Sequence, residues 1–223
     1  MQEPAHLRAR MVDEQLAARG IVDARVLDAF RRVPREKFIP VPMDPGLSAR
    51  HAEVAYADEP VDIGLGQTVS QPYIVALTAA ALGLTGGERL LEVGTGSGYA
   101  AAILSLLARE VFSIERMPAL AHVAKDRLAR LGYDNVTVTV GDGTLGWQEH
   151  APYDAIAVAA AGPRVPPPLL AQLAVGGRLV VPVGDKTQTL VRITRESAIR
   201  YREEELSDVR FVRLIGAEGF HER

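Results

Sequence analysis

The sequence predicts an α/β fold: a doubly wound, mostly parallel sheet with helices ahead of it and antiparallel strands at its C-terminal end. Three observations predict it. Short apolar runs alternate with helical patterns from Arg89 to Val183, and repeated β-α units of this length lay helices on both faces of a parallel sheet. One apolar run enters the turn Gly94-Thr95-Gly96-Ser97-Gly98 and leaves it as a helix. Acidic residues, Glu92, Glu115 and Asp142, stand at the ends of three successive strand candidates. Right-handed crossovers then place these strand ends, and any ligand, along one edge.

Taken in order, Leu7–Arg32 reads as two helices broken near Gly20, because Met11, Val12, Leu16 and then Val26, Leu27, Phe30 recur at helical spacing. Val33–Asp62 is irregular, with prolines at 34, 40, 42, 45 and 60, yet Phe38, Ile39, Val54 and Tyr56 predict an ordered, packed loop system. Tyr73–Gly83 is a helix opened by Pro72 and closed by Gly83. Strands follow at Arg89–Val93, Glu110–Ile114, Asn135–Val140, Ala155–Ala159 and Arg178–Val183. Between them lie helices from the glycine turn through Leu107, over Pro118–Leu131, and a short one at Pro168–Leu173. Thr189–Thr194 and Phe211–Leu214 read as the closing antiparallel strands. The chain divides into residues 1–72, a core of 73–195 and an extension of 196–223, all in one domain.

Composition narrows the function. With 48% hydrophobic and 24% charged residues the 223-residue chain is an ordinary globular one. A net charge of −3 gives no nucleic-acid footprint. Without cysteine there is no disulfide, thiolate metal site or cysteine nucleophile. No apolar run reaches the ~20 residues of a membrane span, and the polar start Met1–His6 lacks a signal-peptide core; the expected setting is the cytoplasm. His6, His51, His122, His150 and His221 have no metal-ligand spacing, so no metal is expected. Trp147 reads as a packing residue and Glu203-Glu204-Glu205 as a solvated charge run. Oligomeric state is not legible.

The glycine loop identifies the ligand class. Glycine permits positive φ and close backbone approach. Dinucleotide sites usually carry G-x-G-x-x-G, whereas here Tyr99 follows G-x-G-x-G with no third-spaced glycine. Glu92 at the strand end repels a pyrophosphate but suits the cationic methionyl end of S-adenosylmethionine. Glu115 is placed to accept from ribose hydroxyls, with Arg116 beside it. Asp142 is placed to accept from an adenine amino group, and Gly143 leaves room for the ring. Together these acids favour the methyl donor over NAD.

Beyond that loop, the sequence resembles the protein-L-isoaspartate O-methyltransferases. The resemblance rests on Val33-Pro34-Arg35-Glu36-Lys37-Phe38, Ala55-Tyr56-Ala57-Asp58, the block Gly66-Gln67-Thr68-Val69-Ser70-Gln71-Pro72-Tyr73-Ile74-Val75, Ser113-Ile114-Glu115-Arg116, Leu131-Gly132-Tyr133, Gly141-Asp142-Gly143 and Gly176–Gly184. It spans roughly Met11 to Leu214. Three departures from the pattern stand out: Val61-Asp62 where an apolar residue and proline are expected, Arg213 in place of a proline, and Glu92 in place of a more frequent Asp. The resemblance implies a Rossmann-like methyltransferase fold with S-adenosylmethionine as donor and isoaspartyl proteins and peptides as substrates. It implies methylation of the free α-carboxylate, an ester that collapses to succinimide, and a catalytic role for Ser70. Donor-binding residues are expected among Gln67, Thr68, Val69, Ser70, Glu92, Gly94, Thr95, Gly96, Ser97, Glu115, Arg116, Asp142 and Gly143.

The chemistry asks little of Ser70. A carboxylate is ionised near neutral pH and attacks a sulfonium methyl without a base, so the protein must supply alignment. Backbone N–H groups at the helix start, and the hydroxyl of Ser70 or Thr68, are candidate holders of a carboxylate oxygen. The plainer alternative makes Ser70 a helix cap. Two rival functions remain: a related methyltransferase with a small-molecule or RNA acceptor, and a donor-binding protein without catalysis.

Overall fold

The structure, a computed structural model, describes residues 3–41, 46, 48 and 50–222; the prolines at 42 and 45 lie outside the described residues. The N-terminal stretch forms helix α1 (Pro4–Arg10), which runs on as a π-helical turn over Met11–Leu16 and ends at Gly20 with φ of 95°. Helix α2 (Ala24–Arg32) is capped by Asp23, whose carboxylate accepts from the amides of Arg25 and Val26. The proline-bearing segment that follows is packed, as its aromatics predict: Phe38, Ile39 and Tyr56 are buried around a tight turn at Arg35–Phe38 and helix α3 (His51–Ala55).

A hairpin not anticipated from the sequence comes next. Strands β1 (Val61–Gly64) and β2 (Gln67–Val69) pair antiparallel around Gly64-Leu65-Gly66, all three with positive φ. β1 alternates in burial, but strands of four and three residues are too short for a period-2 pattern to be read from the sequence. Helix α4 (Pro72–Leu82) then closes at Gly83, φ 60°.

The core is a seven-stranded sheet in the order β5-β4-β3-β6-β7-β8-β9. Its members are β3 (Arg89–Val93), β4 (Glu110–Glu115), β5 (Val136–Val140), β6 (Tyr153–Val158), β7 (Leu173–Gly184), β8 (Gln188–Arg195) and β9 (Tyr201–Val209). The pairings from β5 through β7 are parallel, and β8 and β9 are antiparallel additions. Helices α5 (Tyr99–Ser105), α6 (Pro118–Arg130) and α7 (Pro167–Gln172) complete the crossovers. Alternate strand residues point to opposite faces. Leu90, Val111, Ala155 and Val180 therefore join a core with α4 and α5, while Leu91, Phe112, Ile156 and Leu179 join a second core that includes Leu169 of α7.

One reading of the C-terminal region is corrected. The last strand is Tyr201–Val209, whereas Phe211–Leu214 forms no strand and makes only an isolated bridge from Arg213 to Ala161. Glu203-Glu204-Glu205 is accordingly a strand segment, and Glu204 pairs with both Arg192 and Arg202. Charge composition hid a strand whose outward residues face water.

Candidate active site

Strand order reverses between β3 and β6, and a cavity opens there above the C-terminal strand ends, as expected at a switch point. Three backbone bonds fix these ends: Gly94 N–H to the Ile114 carbonyl (2.8 Å), Ala159 N–H to Val93 (2.8 Å) and Gly141 N–H to Glu115 (3.0 Å). Gly94, Gly96 and Gly98 all have positive φ. A Cβ on Gly94 would meet that of Ala159 at 3.3 Å, and one on Gly98 would press Leu128 at 3.2 Å. The loop is thus shaped by its own packing as well as by any ligand.

The buried Glu115 carboxylate lines the cavity and accepts from Gly96 N–H (2.9 Å) and Met117 N–H (3.0 Å), so it also holds the glycine loop against β4. Gln67, Thr68, Val69, Ser70, Gly94, Thr95, Gly96, Ser97, Arg116 and Gly143 line the same cavity. Gly143 has a packing reason to be small as well: its Cβ would sit 2.4 Å from Val93 Cγ1.

Glu92 and Asp142 are placed otherwise. Glu92 lies beneath the cavity, fully buried; Ser113 Oγ donates to its Oε2 at 2.5 Å and bonds Thr95 Oγ1 in turn. Its Oε1 has no partner. Burial pushes its carboxyl up to about 8, outweighing the Ser113 hydrogen bond, so at neutral pH it is largely protonated. Its side chain is not among those that line the cavity. Asp142 accepts from Thr144 N–H (2.9 Å), Thr144 Oγ1 (2.6 Å) and Ala217 N–H (2.8 Å). Burial alone would raise its carboxyl, but these bonds hold it below the usual range. Its carboxylate anchors the C-terminal segment, and it is Gly143 that reaches the cavity wall.

A second hollow shares Thr68, Ser70, Ala159 and Val212 with the first and continues along Arg210 and Phe211. Ser70 follows β2 and precedes α4, and its hydroxyl has no hydrogen-bond partner among the described residues. The helix-cap alternative is not what the geometry shows. The Ncap residue is Gln71, and Asp58 does the capping, accepting from Tyr73 N–H (3.2 Å) and from Gln71 Nε2 (2.7 Å). The expectation of free amides at this helix start is narrowed: Pro72 has none, Tyr73 is taken by Asp58, and Ile74 and Val75 bond the Gln71 carbonyl. Thr68 and Ser70, which line both hollows, each bring a hydroxyl.

Sequence reasoning missed the walls without a motif: Tyr99, Ala159, Ala160 and Val212–Ile215. The small run Ala159-Ala160-Ala161-Gly162 at the end of β6 was the available signal. Among the described residues no group of three or more His, Cys, Asp or Glu is arranged to hold a metal ion, and no helix is long and apolar enough to cross a membrane.

The chain matches known proteins over nearly its whole length. The profile of the protein-L-isoaspartate(D-aspartate) O-methyltransferase family matches residues 7–219. A protein-L-isoaspartate O-methyltransferase of Protochlamydia amoebophila is 54% identical over 212 residues, covering 94% of this chain and 97% of the relative. One from Rhodopseudomonas palustris is 56% identical, covering 96% and 84%. A solved protein-L-isoaspartate O-methyltransferase superposes with a TM-score of 0.82 at 31% identity, over 95% of this chain and 67% of that one. A Plasmodium falciparum homologue solved with S-adenosyl-L-homocysteine gives 0.76 at 27%, over 93% and 98%.

Proposed function

We propose, for a chain that belongs to the protein-L-isoaspartate(D-aspartate) O-methyltransferase family, that the switch-point cavity holds the donor, the second hollow holds the acceptor carboxylate, and methyl transfer takes place where Ser70 lines both. The chain is a protein repair methyltransferase: it transfers a methyl group from S-adenosylmethionine to the free α-carboxylate of L-isoaspartyl residues in damaged proteins and peptides. The ester then collapses to a succinimide. The reading includes a cytoplasmic setting, which a chain without cysteine is suited to.

The single observation that carries the site assignment is the meeting of the two hollows at Ser70 and Thr68. The residues present fit the donor: a buried carboxylate, Glu115, to accept from ribose hydroxyls, and Gly143, Ala159 and Ala160 to leave a flat slot for a ring. S-adenosylmethionine supplies an electrophilic methyl on a sulfonium. The acceptor carboxylate is already a nucleophile, so no residue need remove a proton. What the chain does is orient. The Ser70 hydroxyl, without another partner among the described residues, donates to one carboxylate oxygen and turns the other toward the donor cavity. That bond also replaces water lost when the carboxylate is buried. Glu115 keeps the glycine loop closed on the opposite wall.

The test is methanol release from an isoaspartyl peptide beside its aspartyl twin. Release from the isoaspartyl peptide alone is expected. Equal release from both, or methylation of RNA or a small molecule in its place, would sink this reading.

A further inference from the structure

Arg35 has no exposed surface, yet no carboxylate pairs with it among the described residues. A lone buried guanidinium is costly unless its protons find acceptors. Here it finds carbonyls. Nη1 donates to Ala55 (2.5 Å) and Ala57 (3.4 Å), and Nη2 to Glu59 (3.2 Å) and Ser70 (3.0 Å). Nε alone is unpartnered. The guanidinium carbon also lies 5.5 Å from the centroid of the Tyr99 ring, which is part of the donor cavity wall. One planar cation thus touches the Ser70 backbone, the 55–59 segment whose Asp58 caps α4, and the first residue of the glycine-loop helix.

We propose that Arg35 is a positioning residue for methyl transfer: by bonding the Ser70 carbonyl while lying over the Tyr99 ring, it sets the Ser70 hydroxyl at the junction of the two hollows. The argument rests on the assignment of Ser70 made above. A residue that only filled the core would not need charge, and an apolar side chain of like volume would be cheaper to bury. A fork of N–H donors is what gathers carbonyls from two segments into one plane. Lysine offers three protons from one point and cannot span both, so Arg35→Lys keeps charge and bulk while loosening the Ser70 end. Misplacement on the order of 1 Å suffices to slow an aligned reaction about a hundredfold.

The experiment compares wild type, Arg35→Lys, Ser70→Ala and the double variant, with kcat on isoaspartyl peptide and donor Kd measured per folded molecule. Arg35→Lys is expected to lower kcat about tenfold to a hundredfold while donor Kd changes by less than about threefold. In the Ser70→Ala background it should cost almost nothing further, because contacts that act as one unit are not additive. A merely structural Arg35 lowers the melting temperature and leaves kcat per folded molecule at the wild-type value, which overturns the proposal. Equal losses in both backgrounds overturn it too, as does wild-type turnover by Ser70→Ala. If Arg35→Lys does not fold, the measurement passes to Arg35→Gln at low temperature with saturating donor, which stabilises whatever folds. Failure of both to fold makes Arg35 structural and ends the proposal. An inactive wild type on isoaspartyl peptide would show up first and would remove the functional reading itself.

Discussion

The two hollows that meet at Ser70 are built differently. The donor side rests on the ends of β3, β4 and β6, cross-linked by backbone hydrogen bonds and by Glu115. The acceptor side is assembled mostly from a hairpin end, the residue after β6, and the segment Arg210–Val212, which belongs to no strand, with the last residues of β9 and Ile74 of α4 at its margin. One side is a sheet edge whose shape the core dictates. The other is a gathering of loops held by side chains such as Asp58. Loops on a rigid scaffold are where specificity is adjusted without disturbing the fold.

The contrast breaks if substitutions on one side leak to the other. The largest effect is expected at the seam: Ser70→Ala should lower kcat on isoaspartyl peptide by roughly tenfold to a thousandfold, the range for losing a positioned donor. Donor affinity should stay within about threefold of wild type, as calorimetry would check. Next, Glu115→Ala should weaken donor binding by about 1–3 kcal/mol, since an acceptor for hydroxyls and for Gly96 N–H disappears together. Peptide KM should hold, and an unchanged donor Kd in a folded variant would take Glu115 out of the site. On the acceptor side, Arg210 is exposed and has no ion-pair partner among the described residues. Arg210→Glu should raise peptide KM about threefold to tenfold, less so in high salt, and leave donor Kd alone. A shift in donor Kd would erase the division between the two sides.

The smallest effect sharpens the comparison from below. Glu92 binds its proton more tightly folded, near 8, than unfolded, near 4.5. Its contribution to stability is therefore full below the unfolded value and is lost as pH rises through about 8. Glu92→Gln, which stays neutral, should escape that loss. The melting temperature of the variant relative to wild type should rise between roughly pH 5 and 8; a constant difference would mean Glu92 is ionised throughout.

The same contrast explains what was legible. Strand ends that carry a site keep their residues contiguous, so Gly94–Ser97, Glu115 and Gly143 could be read directly. The order of β-α units likewise imposes the sheet and its helices. Further partners were illegible where a carboxylate has more than one possible neighbour: Asp142 is engaged by Ala217, and Glu92 by Ser113, through contacts that only the fold creates. The hairpin at Val61–Val69 was illegible because three- and four-residue strands are too short for periodicity. β9 was illegible because its charges imitate a loop. Arg35 stood in plain view within a family block, but nothing in sequence says that an arginine is buried among carbonyls.

β9 also has a bearing on the company this enzyme keeps. Its clients are aged chains, prone to local unfolding and to offering bare strands to any sheet that will take them. As the outermost strand beyond β8, Tyr201–Val209 is one of the two sheet edges where such a chain could zip on. The exposed Arg202, Glu203 and Glu205 make that rim wet and charged, so it discourages a visiting strand from docking edge to edge. A catalyst of repair can thus handle sticky polypeptides in its active site without seeding their aggregation along its own flank.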